Sequence, residues 1–276
     1  MCRLLGRVSL DAITDRDAIG AERCAEFQRL GRLHADGWGT AWLAEDGSLQ
    51  RLRDPGDPLA AAPLTAALNE IPARIRVTHL RLATTGMANL VANTHPFRWG
   101  DIVLAHNGSV TPVGRLRELV PTEEIERVGG TTDSALVLAL VVRRVEQGEP
   151  LFDAVTAVVE DLKARFPRAA LNLLVASPAE LIAVHANAGA SIPRDDFAAS
   201  GLGDDLPRDH IDHYYRMSWL RDDRSVVFTS SGLATEGWTP MDQNTAARVD
   251  LRTLAVEFRM IGAPAVTAGG RAGEAA

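Results

Sequence analysis

The stretch Met1-Cys2-Arg3-Leu4-Leu5-Gly6-Arg7-Val8-Ser9-Leu10 sets a cysteine directly behind the initiator methionine and an apolar run directly behind the cysteine. Residues 2–9 read as a short strand, so Cys2 would act from a strand's first position. Free cysteine is usually a small buried hydrophobe, and that is the packing reading. The chemical reading rests on trimming: a small side chain behind methionine permits its removal, which would put thiol and free amine on one residue. An α-amine titrates near 8, so a sizeable neutral fraction at pH 7 could take the thiol proton. That is a nucleophile and its base within one amino acid. These ten residues alone allow either reading.

Outward from this start, the chain alternates clumps of strands and helices rather than strict βαβ units. A helix is expected over 19–31, a buried strand over 39–44, a hairpin turn at 45–47 and a helical piece over 59–69. Strands follow over 73–83 and 101–109, the latter running out into a loop, and VGRLREL opens a short helix. A longer helix starts near Asp133, with a threonine/aspartate start and a glycine stop, and 150–166 is amphipathic. Further strands are expected over 170–176, 181–186, 214–220, 225–230 and 254–258. This pattern favours layered sheets covered by helices. Residues 1–262 read as one domain and 263–276 as a loose Gly/Ala-rich tail.

With 276 residues the chain can bury a sizeable core, and a composition 46% hydrophobic and 24% charged is ordinary for a globular protein. A formal charge of -7 argues against a nucleic-acid partner. The start turns acidic before a signal-peptide core could form, and the longest apolar run, 135–142, is too short to cross a bilayer. No membrane association and a cytoplasmic location are therefore expected. Cys2 and Cys24 could pair, but a reducing compartment disfavours it, and Cys24 reads as an apolar filler.

Five polar segments resist an ordinary loop reading: HADGWG (34–39), THLRLATTG (78–86), NTHPF (93–97), AHNGS (105–109) and TTDS (131–134). Four of them sit at the edges of expected strands or helices, where a scaffold can present side chains. Each has a bland reading as well. Arg81 alternates with apolar residues as a solvent-facing strand residue would. Asn107-Gly108 is a type I′ turn signal. Asp133 could be an anionic helix cap. Pro96 fixes φ and Phe97 suits a core. His34, His79, His95 and His106 lack ligand-like spacing, so no metal is expected. A Cys–His dyad with His79, His95 or His106 is the stronger rival to the terminal amine.

Taken in order, MCRLLG, HADGWG, THLRLATTG, NTHPF, AHNG and TTDS resemble the class II glutamine amidotransferases, which are N-terminal-nucleophile hydrolases. The chain looks closest to the stand-alone subgroup whose members begin MCR or MCE. The resemblance implies an α+β fold, a four-layer αββα sandwich. It implies Cys2 as nucleophile, Arg81 on the substrate α-carboxylate, and Asp133 on its α-ammonium. It also implies an oxyanion hole from the Asn107 side-chain amide and the Gly108 N–H. These roles are chemically apt: donors aimed at a developing oxyanion stabilise the transition state, and an arginine fork suits a carboxylate. Asn93 and His95 are expected to brace the site, with His34, Asp36, Trp38, Thr84 and His106 as further support.

The chain departs from the family at Ala135, where glutamate often stands, and at Ser230-Ser231-Gly232, where Ser-Glu-Pro is usual. With 276 residues, no fused synthase domain is expected. The implied activity is hydrolysis of the γ-amide of glutamine or of a small γ-glutamyl conjugate through a thioester on Cys2, with no cofactor. The alternatives are a glutaminase subunit passing ammonia to a separate synthase partner, and a catalytically silent γ-glutamyl-binding protein. A homo-oligomer is compatible with the sequence.

Overall fold

The computed structural model describes residues 2–83, 88–207 and 209–262. The proposed tail at 263–276 lies outside them. Strands are β1 (Arg3–Ile13), β2 (Trp38–Leu43), β3 (Leu49–Asp54), β4 (Ala73–Leu80), β5 (Phe97–Trp99), β6 (Ile102–Ser109), β7 (Ala170–Ala176), β8 (Glu180–Ala186), β9 (Met217–Arg221), β10 (Ser225–Ser230), β11 (Thr239–Pro240), β12 (Thr245–Asp250) and β13 (Val256–Met260). Helices are α1 (Asp15–Ile19), α2 (Ala21–Arg29), α3 (Ala62–Asn69), α4 (Val113–Arg117), α5 (Thr122–Val128), α6 (Asp133–Glu146), α7 (Leu151–Arg165) and α8 (Arg194–Ala199).

The strands form two antiparallel sheets, ordered β11-β9-β10-β1-β4-β2-β3 and β13-β12-β8-β7-β6-β5. Period-two alternation explains the layering. On β1, Leu4 and Val8 face the second sheet, meeting Val103, Ala105, Leu174 and Val249. Leu5 faces outward to Cys24, Phe27, Leu64 and Leu68 of α2 and α3. On β6, Leu104 turns to the other side, packing with Leu136, Val155 and Val159 of α6 and α7. The order of layers is therefore helices, sheet, sheet, helices: the αββα sandwich. Gly6 lets the sheets close, since a Cβ there would come within 2.8 Å of the Leu174 side chain.

Under the α1–α3 layer lies a buried charge cluster. Arg7 stands opposite Arg76 in the β1–β4 register. Both reach Asp15 of α1, Arg7 Nε at 2.8 Å and Arg76 Nε at 3.4 Å. Both guanidiniums also donate to backbone carbonyls, at Ala73 and Ile71.

Several expectations need correcting. The first strand continues to Ile13 instead of ending at residue 9. The helix expected over 19–31 is broken at Gly20, whose φ of 86° terminates α1, and Thr14 caps α1 through Asp17. Segment 101–109 has no terminal loop, because β6 stays paired with β7 through Ser109. Strand β12 and helix α5 went unread. Cys24 is a buried free thiol whose pKa burial pushes up to about 12, as suits a filler. Cys2 is free as well, so the two do not pair. Among the described residues no helix is long and apolar enough to cross a membrane.

Candidate active site

Cys2 immediately precedes β1, and its parity with Leu4 turns it into the space between the sheets. On β6, Val103 and Ala105 set the same inward parity for Asn107. The two meet there: the Cys2 nitrogen donates to Asn107 Oδ1 at 3.1 Å. With its oxygen so held, the Asn107 amide turns its Nδ2 away, and that donor is buried without a partner among the described residues. The Cys2 thiol's own contact is the Leu82 carbonyl at 3.9 Å, and no histidine bonds it among the described residues.

Asn107-Gly108 is not a turn. It lies within β6, Asn107 opposite Asn172 and Gly108 opposite Leu171. The glycine is required by proximity rather than by torsion: a Cβ would sit 2.0 Å from the Ala170 carbonyl oxygen and 2.7 Å from His106 Nε2.

Arg81 follows the last residue of β4 and is only 2% exposed, which removes the reading as a solvent-facing strand residue. Its Nη1 donates to the Asp36 carbonyl at 3.1 Å and to Asn89 Oδ1 at 2.7 Å, and Nη2 to the Ala88 carbonyl at 3.3 Å. Asp36 braces the same loop a second time, Oδ2 accepting from the Ala83 N–H at 2.8 Å. Asn93 ties this loop to the one before α6: Nδ2 donates to the Ala88 carbonyl, and Oδ1 accepts from the Thr131 N–H and hydroxyl.

Asp133 is the first residue of α6 but not its cap. Thr132 holds that position, its hydroxyl accepting from the Ala135 N–H at 3.2 Å. The Asp133 carboxylate instead staples the helix to the strand exit, Oδ2 accepting from the Val110 N–H at 2.7 Å and Oδ1 from the Ser134 N–H at 2.8 Å.

Three histidines lie behind the thiol. His106 Nε2 faces the Ala170 carbonyl at 2.8 Å, which only accepts, so that nitrogen carries the proton. Nδ1 then meets the Ser134 hydroxyl at 2.9 Å. His79 Nε2 donates likewise to the His106 carbonyl at 3.2 Å. His95 stacks on His79 with centroids 4.1 Å apart and takes the Phe97 ring edge-on at 4.7 Å. Burial drives the His79 pKa down to about 3 and that of His95 well below the ordinary imidazole range, so both rings are neutral.

A cavity of about 30 Å³ is lined by Cys2, Arg81, Leu82, Ala83, Asn93, His95, His106, Gly108 and, at the start of α6, Thr132, Asp133 and Ser134. The sequence-derived set thus converges, with exceptions. Asn107 and Asp36 do not line the cavity and reach it through their bonds to Cys2 and to Arg81 and Ala83. His34 pairs with His210 at 3.1 Å, and Trp38 packs with Leu5, Phe27 and Leu30 under the helices, and neither of these lines it. Thr84 lies outside the described residues. Sequence reasoning passed over Asn89 and also Arg3. The Arg3 guanidinium lies 4.0 Å over the Tyr214 ring and donates to the Tyr214 and Ser231 carbonyls and the Ser231 hydroxyl. The Ser230 hydroxyl accepts from the Leu4 N–H at 2.9 Å, so the segment that departs from Ser-Glu-Pro braces the start of β1. Among the described residues no group of three or more His, Cys, Asp or Glu is arranged to hold a metal ion.

The geometry has close company among known proteins. A glutamine–fructose-6-phosphate aminotransferase (isomerizing) of Zymomonas mobilis is 30% identical over 173 residues, covering 62% of this chain and 26% of that protein. A gamma-glutamyl-hercynylcysteine sulfoxide hydrolase of Mycolicibacterium smegmatis is 30% identical over 156 residues, 56% of this chain and 63% of the hydrolase. The chain thus spans about a quarter of the first relative and under two thirds of the second. The structure of a glutamine aminotransferase class-II domain protein from Silicibacter pomeroyi superposes with a TM-score of 0.60 at 15% identity, over 94% of this chain and 99% of that one. The profile of the class-II glutamine amidotransferases matches residues 1–249. With that match covering nearly the whole chain, the protein belongs to the class-II glutamine amidotransferases, the family of N-terminal-nucleophile hydrolases to which its two-sheet sandwich also conforms.

Proposed function

We propose that the protein cleaves the γ-amide of glutamine or of a small γ-glutamyl conjugate, with Cys2 as nucleophile after removal of Met1. The observation that carries this reading is the Cys2–Asn107 pair: one side-chain amide fixes the nucleophile's nitrogen through Oδ1 and leaves Nδ2 buried without a partner among the described residues. A buried donor left open costs about 1–3 kcal/mol. A carbonyl oxygen that gains charge as sulfur adds to its carbon would recover that cost where it most lowers the barrier.

In this scheme the free Cys2 amine takes the thiol proton as sulfur bonds to the γ-carbon. Asn107 Nδ2 and the Gly108 N–H receive the oxyanion. The amine then protonates the leaving nitrogen, the C–N bond breaks, and a γ-glutamyl thioester remains for water to hydrolyse. Arg81 and Asp133, both lining the cavity, would hold the carboxylate and ammonium of the glutamyl head. Their loops are braced by Asp36, Asn93 and Thr131, which supports a rigid rather than adaptable grip. The hydrolase relative, named for a γ-glutamyl substrate, supports the conjugate reading.

A glutamine-mimicking electrophile followed by intact-mass and peptide mapping tests the scheme. Expected is one adduct, on a chain lacking Met1, at Cys2. Labelling at Cys24, Met1 retained in turning-over protein, or undiminished turnover in Cys2→Ala would overturn it.

A further inference from the structure

Three histidines, His79, His95 and His106, pack together beside the cavity that Cys2 lines, and their bonding separates them. Both ring nitrogens of His106 are engaged, by Ser134 and by the Ala170 carbonyl. His79 spends Nε2 on the His106 carbonyl and does not line the cavity. His95 lines it, is 5% exposed, and has no hydrogen-bond partner on either ring nitrogen among the described residues. Its ring is nonetheless immobilised between His79 and Phe97. A neutral imidazole offers one N–H and one lone pair. Neither has a partner among the described residues, and the ring lines a cavity of about 30 Å³ shared with Cys2, which has room for a water molecule or two.

Resting on the amide-cleaving reading above, we propose that His95 is a positioning residue for the water that hydrolyses the γ-glutamyl thioester. The ring holds the water through one open nitrogen, and its fixed tilt aims a lone pair of the water at the thioester carbon. The water oxygen bonds to that carbon and one water proton passes to the Cys2 amine. The C–S bond then breaks with its electron pair returning to sulfur, which takes the proton back from the amine. The free thiol and the γ-carboxylic acid of glutamate result. His95 exchanges no proton in this sequence, as a ring that stays neutral requires. Acylation needs no such water, so the two half-reactions depend on His95 differently.

The test is a single-turnover reaction of the full chain with a chromogenic γ-glutamyl anilide, quenched in acid and weighed. Anilide release reports acylation, and the mass of Cys2 reports the thioester's lifetime. His95→Phe keeps an aromatic ring against His79 and removes both nitrogens. It should release anilide within about twofold of the wild-type rate, while its thioester persists on the order of 10–100-fold longer, the cost of a misplaced reactant. His95→Gln, which again offers a donor and an acceptor, should recover most of the loss. A free amine nucleophile such as hydroxylamine, which needs no held water, should discharge both variants alike. A fall in anilide release that matches the fall in turnover, or a thioester no longer-lived than the wild type's, would overturn the proposal. If wild-type protein itself releases no anilide and gains no Cys2 adduct, the amide-cleaving reading fails and takes this one with it.

Discussion

Arg81 Nη1 donates to Asn89 Oδ1 at 2.7 Å, and the same asparagine fixes itself to the Pro55 carbonyl through Nδ2 at 2.9 Å. Asn89 is therefore the side chain that sets the tilt of the guanidinium. If Arg81 grips the glutamyl carboxylate in ground and transition states alike, loosening it weakens binding without touching the chemical step. Asn89→Ala should raise KM about tenfold, equivalent to ~1.4 kcal/mol, and leave kcat within about twofold. Steady-state kinetics checks this; a loss confined to kcat would contradict it.

The two ends of the Asn107 amide can be separated by one substitution. Asn107→Asp keeps an oxygen for the Cys2 nitrogen but replaces the open donor with a second acceptor. Turnover should fall by at least about 10²–10³-fold, the usual loss for one oxyanion donor. Thermal stability should fall as well, because the new carboxylate is fully buried, so the loss of turnover is read at a temperature where circular dichroism shows the variant folded. A decrease under tenfold would mean that Nδ2 does not face the reacting carbonyl.

Gly108→Ala places a methyl 2.0 Å from a backbone oxygen of the neighbouring strand, and backbone cannot rotate away as a side chain can. The β6–β7 pairing must part locally, carrying Asn107 with it. Destabilisation of about 1–3 kcal/mol, the usual range for overpacking, is expected together with loss of turnover. Chemical denaturation checks the first and a γ-glutamyl anilide assay the second.

Burial lowers the pKa of His79 to about 3, and those of His95 and His185 are also lowered, chiefly by burial. In the unfolded chain these rings titrate near 6.5, so below that pH the unfolded state binds protons that the folded state refuses. Their contribution is complete above about pH 6.5 and is lost as pH falls toward 3, His79 alone giving a slope near ~1.4 kcal/mol per pH unit. The lowered carboxylates, Asp17, Asp46 and Asp250, are exposed and act only below about pH 4. Urea midpoints at pH 7.5, 6 and 5 should therefore already decline, and His79→Phe should flatten that decline.

The layers were legible because alternation is clean wherever large side chains mark it, as at Leu4, Leu5 and Val8. Strand β12 escaped because Ala246 on its helix side and Ala247 on its inter-sheet side are fully buried but carry little hydrophobic signal. Helix α5 buries no residue fully, and so shows no apolar stripe to read. At the site, Cys2, Arg81, Gly108 and Asp133 could be named only through the resemblance of the ordered motifs to the family, since each alone also reads as a packing, surface, turn or capping residue. Asn107-Gly108 was ambiguous for a physical reason: a hairpin turn and a tight strand approach both ask for glycine. Arg3 and Asn89 had no signal, since what defines them is a distant partner, Ser231 for one and Arg81 for the other.

The Arg7–Asp15–Arg76 cluster fixes more than the inner face of a helix. It engages β1 and β4 only when residues 7 and 76 stand abreast. A frame shifted by one position would strand a charge in the core, at about 3–5 kcal/mol. The same shift would displace the thiol by about 3.3 Å and rotate it to the opposite side of the sheet. A charged datum five residues downstream thus sets the nucleophile's coordinate along its own strand. Alignment of this site is therefore secured by residues that touch none of its chemistry.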